Sequence, residues 1–265
     1  MWLGGLTAPP NVTKKPRRIQ EFMVRVLPEG SPWANFPAEY SDKSICEVGP
    51  VSSSRGMGLQ LLRLGKLMAY GCEQNGGLWV HGALVEMNGT GVIMAGPGGV
   101  GKTTAAGRLP RPWRILSDDM CLIAKSPASE YWAHPWPTWS RIRQGDLNGS
   151  WDVQEAVRVG LICILSQNEQ DQLESVSYHQ AVSELMDVSN QTRVYLSSEM
   201  DEIAARRANL KCFQNAVNIA KIVPTYRLKV SLAGKFWEEI EKAVVPDRKA
   251  GVSRGALSRA RKKYS

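Results

Sequence analysis

Hydrophobic positions along the chain fall into short alternating or continuous runs in some places and recur every three to four residues in others. The first pattern predicts strands and the second predicts helices. Phe22–Leu27 alternates and predicts a strand; the Pro-, Gly- and Ser-rich stretch from Pro28 to Ser44 reads as loop. Gly58–Gly77 places its apolar residues at helical spacing and ends on glycine, which predicts a helix. Trp79–Met87 predicts a strand, Asn88-Gly89 a tight hairpin turn, and Gly91–Gly96 the returning strand. A glycine-rich loop and a short helix follow, stopped by Pro110 and Pro112.

Trp113–Ala124 reads as an apolar strand with two aspartates embedded, Glu130–Ser140 as a strand entering a Trp/Pro-rich loop, and Val159–Gln167 as a buried strand. Helical periodicity covers Tyr178–Val188 and Ser197–Val223, the second closed by Pro224. Thr225–Leu232 alternates as a strand and Gly234–Val244 is a last helix. Strands and helices interleave with no repeat and no central linker, which predicts one α/β unit with a modest N-terminal addition.

Composition narrows this picture. The 265 residues are 43% hydrophobic and 22% charged, as in a soluble globular chain. No apolar run approaches the roughly 18 residues of a membrane span. In the N-terminal stretch the basic cluster follows the apolar residues, the reverse of a secretory signal, so a cytoplasmic location is expected. Cys46, Cys72, Cys121, Cys163 and Cys212 are dispersed, with no C-x-x-C pair, which argues against a disulfide framework or zinc knuckle and for small buried hydrophobes. The net charge is +8, and Asp247–Ser265 alone holds seven Lys/Arg against one Asp. Such a tail reads as a solvated terminus or as a dock for an acidic surface. No zinc finger or RNA-binding strand signature accompanies it, so no nucleic-acid partner is expected.

The chemistry concentrates between His81 and Asp119. Gly96–Thr103 (GPGGVGKT) fits G-x-x-x-x-G-K-[ST]. Gly96, Gly98, Gly99 and Gly101 allow a tight turn whose N–H groups face phosphate oxygens. Val100 and Thr104 complete the expected contact, Lys102 reaches the β and γ phosphates, and Thr103 holds Mg²⁺. Asp118 and Asp119 follow in ILSDD. Adjacent strand residues point to opposite faces, so both acids can serve one phosphate only if the strand ends or distorts there. One acid is then available for metal and the other for a proton. His81, upstream of the loop, is a third candidate that says little on its own.

HG at His81-Gly82, the loop GPGGVGKTT and SDD at Ser117–Asp119 together resemble the catalytic domain of bacterial HPr kinase/phosphorylase. The resemblance implies a P-loop kinase domain of the HPr kinase / phosphoenolpyruvate carboxykinase type, with ATP and Mg²⁺ bound and phosphate passed to a serine hydroxyl. It implies Asp118 as the base, Asp119 near Mg²⁺ and the phosphates, and His81 at the acid–base centre, with Lys102 and Thr103 in their usual loop roles. The loop departs from that family at Pro97, Gly98 and Thr104, where an acidic residue, Ser and Glu are usual. The lower half, with YWAHPWPTWSRI, GSWDVQ and VPTYRLKVSLAGKFWEEI, resembles the HPr-kinase-like protein of the SynChlorMet biosynthetic cassette. Related kinases modify precursor peptides.

The expected division is residues 1–50 as the N-terminal addition, 51–246 as the catalytic domain and 247–265 as the basic tail. Expected partners are a precursor peptide or small protein bearing a serine, the neighbouring biosynthetic enzymes and, for a homo-oligomer, further copies of the chain.

Trp132, His134, Trp136, Trp139, Trp151, Arg141 and Arg143 form either a rigid acceptor wall or a packing cluster. Arg227 and Lys229 share one strand face, either as an anion-binding wall or as solvent-facing side chains. The leading expectation is an ATP-dependent serine kinase acting on a peptide. Alternatives are a small-metabolite kinase, a nucleotide-binding accessory protein of a peptide-modification pathway, and a generic nucleotidase.

Overall fold

Strand β3 (Leu78–Met87) is the hub of a computed structural model that describes residues 23–26, 45–48, 65, 68–136, 155–197 and 201–244. The basic tail, most of the N-terminal addition, and Trp139, Arg141, Arg143 and Trp151 lie outside the described residues. The strand expected near Phe22–Leu27 is β1 (Met23–Val26), which pairs in parallel with β2 (Ile45–Val48).

β3 turns through Asn88 and Gly89, both at positive φ (53° and 81°), into β4 (Thr90–Ala95). Two consecutive left-handed residues match the right-handed twist of a hairpin, which is why the Asn-Gly signal was readable. On the other edge of β3 lie β5 (Arg114–Ser117) and β6 (Met120–Lys125). β7 (Tyr131–Trp136) pairs with β6, and β8 (Val157–Gln167) pairs with β7 at its start and in parallel with β4. The pairings β4-β3-β6-β7-β8-β4 therefore close five strands on themselves. β10 (Thr225–Val230) continues beside β8, and β9 (Gln172–Ser175) lies at the far edge of this mixed eight-stranded sheet.

Period-two alternation sends the side chains of β3 to two cores. Leu78, Val80 and Leu84 join Ile93, Ile162, Leu185 and Ile219 on one face, beneath α3 (Tyr178–Ser197) and α4 (Glu202–Ala220). Ala83, Val85 and Met87 join Met94, Ala105, Leu161, Phe236 and Ile240 on the other, with α2 (Lys102–Gly107) and α5 (Phe236–Val244). A third cluster sets Met68, Ala69 and Cys72, from a helix α1 described over 68–74, against Trp79, Met120, Leu122 and Trp136. With both faces covered, β3 reads as a near-continuous apolar run.

Three boundaries differ from the sequence pattern. The strand expected over Trp113–Ala124 is broken in two at Asp118-Asp119. The helix expected to end at Val188 runs on to Ser197. The helix expected from Ser197 starts at Glu202, where Asp201 caps it by accepting from the Ala204 N–H at 2.8 Å. β9 was not expected; its four residues carry too short a pattern to stand out.

Candidate functional site

The glycine-rich loop joins β4 to α2. Gly99 and Gly101 hold φ of 78° and 99°, a left-handed conformation that glycine adopts at little cost. A Cβ placed on Gly98, Gly99 or Gly101 would meet nothing within 4 Å, so the space over the loop is open. Beneath it Lys102 is buried, its ammonium donating to the carbonyls of Gly96 (2.9 Å) and Pro97 (3.0 Å). Burial lowers its pKa, and the charge of Asp119 opposes that shift. α2 has only six residues, so its dipole adds less than a full helix would.

The acid pair reaches the loop through the strand break. β5 pairs with Leu84–Glu86 and β6 with Leu78–His81, both on the same edge of β3. Between them Asp118 and Asp119 leave the ladder opposite Gly82 and Ala83. An unbroken strand would send the two carboxylates to opposite faces. Released from the ladder, Asp118 is buried and Asp119 is part-exposed, its side chain 22% accessible. The Thr103 hydroxyl donates to the Asp118 carbonyl at 3.4 Å, which joins the end of the loop to the break.

His81 sits inside β3, within the strand that the pattern over Trp79–Met87 predicts. Its Nε2 lies 3.0 Å from Asp119 Oδ1, and its Nδ1 lies 2.6 Å from Gln191 Oε1. Gln191 was not foreseen. It belongs to the extension of α3 past Val188, where the polar run Ser189–Arg193 carries no helical apolar period.

Lys102, Thr103, Asp118, Asp119 and His81 thus form one chain of contacts and electrostatic coupling. Gly98 and Thr104 are exposed beside it, and Val100 is half-buried. Other candidates lie elsewhere. Trp136 is buried in the α1 cluster, so it serves packing. His134 is buried within β7. Arg227 is paired with Glu184 at 2.7 Å and Lys229 with Glu174 at 2.6 Å, so these cations, read either as an anion wall or as solvent-facing side chains, are engaged by carboxylates.

These residues fit a phosphate-bearing ligand. Lys102 is a buried cation with no carboxylate in ion-pair contact among the described residues, under a loop with open space above it. Among the described residues no group of three or more His, Cys, Asp or Glu side chains converges. A metal here would take phosphate and water oxygens beside Thr103 and Asp119, the usual habit of Mg²⁺.

Fold and site define a mixed α/β protein in which a glycine-rich loop meets an acid pair. A family model described as SynChlorMet cassette protein ScmC matches residues 44–245, and the chain belongs to that family of biosynthetic cassette proteins. No curated protein matches it. Among the described residues no helix is long and apolar enough to cross a membrane.

Proposed function

We propose that this chain is an ATP- and Mg²⁺-dependent kinase that phosphorylates a serine hydroxyl on a peptide or small protein, with the precursor peptide of its cassette as acceptor. The P-loop kinase fold of the HPr kinase type belongs to the same reading. The observation that carries it is the contact between the Thr103 hydroxyl and the Asp118 carbonyl, 3.4 Å, which sets both acids beside the phosphate loop.

ATP–Mg²⁺ would supply the activated phosphoryl group. Lys102 and the loop amides hold the negative charge that builds on the leaving phosphates. Thr103 and Asp119 would hold Mg²⁺, which would neutralise phosphate charge. Asp119 Oδ1 is engaged by His81, which fixes the carboxylate. Asp118 orients the serine hydroxyl and takes its proton as the oxygen bonds to phosphorus. Sequestered from water, Asp118 is surrounded by fixed protein dipoles in place of mobile solvent.

The test is incubation of wild type and Asp118→Asn with ATP, Mg²⁺ and the precursor peptides encoded beside the gene, read by mass spectrometry. Phosphate on a peptide serine, reduced about 100-fold or more in Asp118→Asn with nucleotide binding retained, is the expected result. Phosphate release that needs no acceptor and survives Asp118→Asn points to a plain nucleotidase. Binding without turnover points to an accessory protein.

A further inference from the structure

α4 has an inward face and an outward one, and only the inward face is packed. Cys212, Asn215, Ala216 and Ile219 point inward and are buried. On the outward side Ile203, Leu210 and Phe213 are 64%, 58% and 48% exposed. In a heptad frame Ile203, Leu210 and Val217 fall at a, and Arg206, Phe213 and Ala220 fall at d. This is the seam of a helix pair that lacks its second helix among the described residues. Val217 and Ala220 are half-buried at one end, and the rest of the row is open. A row of exposed apolar side chains on an ordered element marks an interaction surface.

The charges beside the seam select what fits it. Arg206 stands at d, between Leu210 and Phe213 on the helix surface, and Arg207 and Lys221 flank the seam at e. From Arg206 to the cap Lys221 the helix carries Arg206, Arg207, Lys211 and Lys221 and no carboxylate. Arg206 pairs with Glu202 at 2.6 Å, an exposed surface pair that holds it weakly. A second copy of the chain would bring the same cations to the seam, and the tail Asp247–Ser265 has the same sign. A helix lying on a membrane keeps its cations off the apolar sector, whereas Arg206 sits inside this one. A helix with apolar residues at its own a and d positions and carboxylates beside them satisfies anchors and cations together.

The seam is also joined to the candidate site. On α3 the buried Thr192 hydroxyl lies 3.1 Å from the carbonyl of Trp79, two residues before His81. The next residue, Arg193, donates to Asn209 of α4 at 2.9 Å, and Ser189 lies 3.5 Å from the Cys212 thiol. These contacts run antiparallel along the two helices and set Asn209, the neighbour of Leu210, level with the turn that meets His81. One helix therefore links the seam to the acid pair.

We propose that the outward seam of α4 docks an acidic amphipathic helix of the cassette's precursor peptide, and holds the peptide while its serine is presented to Asp118. The inference rests on the kinase reading for the peptide's role as substrate; docking itself needs no phosphoryl transfer.

The full-length chain, without nucleotide, is titrated into fluorescein-labelled precursor peptide and read by anisotropy. Two synthetic probes of three heptads each, with Leu at a and d, carry Glu or Lys at e and g. The precursor and the Glu probe are expected to bind, and the Lys probe to bind about tenfold or more weakly. Leu210→Ser and Phe213→Ser, both at exposed positions and checked by circular dichroism, should each weaken the precursor and the Glu probe about tenfold or more. The double variant Arg206→Glu/Arg207→Glu should prefer the Lys probe. In serine phosphorylation Leu210→Ser should raise KM for the precursor about tenfold or more, with kcat within about twofold of wild type.

Precursor affinity or KM unchanged in Leu210→Ser overturns the proposal, and so does equal affinity for the two probes. Binding to phosphatidylserine vesicles, or a concentration-dependent dimer, overturns it too if Leu210→Ser abolishes that association and the precursor does not displace it. A wild type that binds the precursor through Leu210 yet phosphorylates nothing would sink the kinase reading and leave the docking seam standing.

Discussion

Lys102 and Asp119 show how much one residue's setting decides. The ammonium of Lys102 is buried under the loop and held by the carbonyls of Gly96 and Pro97, which are neutral partners. Its pKa is lowered by burial, with Asp119 acting the other way, so an arriving phosphate would offset a desolvation cost already present. Lys102→Met keeps the length of the side chain and removes the charge. It is expected to weaken binding of a fluorescent ATP analogue by about tenfold or more, with circular dichroism unchanged. Binding within about twofold of wild type would mean that the loop does not use its lysine. The lysine itself was legible from its place in the GK-Thr pattern. What could not be read was the partner of His81, because Gln191 is 110 residues away in sequence.

At the scale of elements, two joints hold the site. One is the break between β5 and β6, which an apolar-periodicity reading merges into one strand because Ile115, Leu116, Met120 and Leu122 continue the pattern across it. The other is the corner from α1 into β3. The Gly77 N–H donates to the Cys72 carbonyl at 2.8 Å, and the Asn215 amide reaches the carbonyls of Glu73 (2.7 Å) and Gly77 (2.9 Å). A Cβ on Gly77 would run into the backbone oxygen of Ile123 and the Cys72 sulfur. The first cannot rotate away. Gly77→Ala is therefore expected to cost about 1–3 kcal/mol in chemical denaturation, and to perturb β3 four residues before His81. A loss below about 0.5 kcal/mol would show that the corner gives way without strain.

For the whole molecule, three apolar clusters wrap a sheet whose five central strands close on themselves. Between α1 and α3 lies a buried ion pair, Glu73 with Arg193, at 2.9 Å. Burial raises the Glu73 carboxyl to about 7 and the Arg193 charge opposes it. A raised carboxyl binds its proton in the folded chain between pH 4.5 and about 7, where the unfolded chain has released it. The group therefore favours folding most at and below the lower limit, and that contribution is lost as pH rises through the window. Stability should decline by on the order of 1–3 kcal/mol across it from this group. Glu73→Gln should flatten that slope in thermal unfolding, with Arg193 still held by Asn209 at 2.9 Å. An unchanged slope would assign the dependence to other groups. The four cysteines with described side chains add no such dependence near neutrality: Cys72, Cys121, Cys163 and Cys212 are buried, and burial raises the pKa of each, Cys121 to about 12.

The sequence by itself determined what is local. Backbone freedom at Gly99 and Gly101, the turn at Asn88-Gly89, the strand run over Trp79–Met87 and the breaker at Pro224 all follow from residue type and short spacing. It also placed Lys102, Thr103, Asp118, Asp119 and His81 on the list of groups to watch. Tertiary structure alone decided how these groups meet. The strand splits at the acids because β3 offers one edge to two partners, and Thr103 meets Asp118 across that split. α3 runs past its apolar period because Thr192, Arg193 and Ser189 find polar partners on β3, α1 and α4. Arg227 and Lys229 are engaged because glutamates from distant elements lie beside them. Spacing encodes periodicity and turns, whereas a contact across 38 or 110 residues depends on the packing of the whole chain.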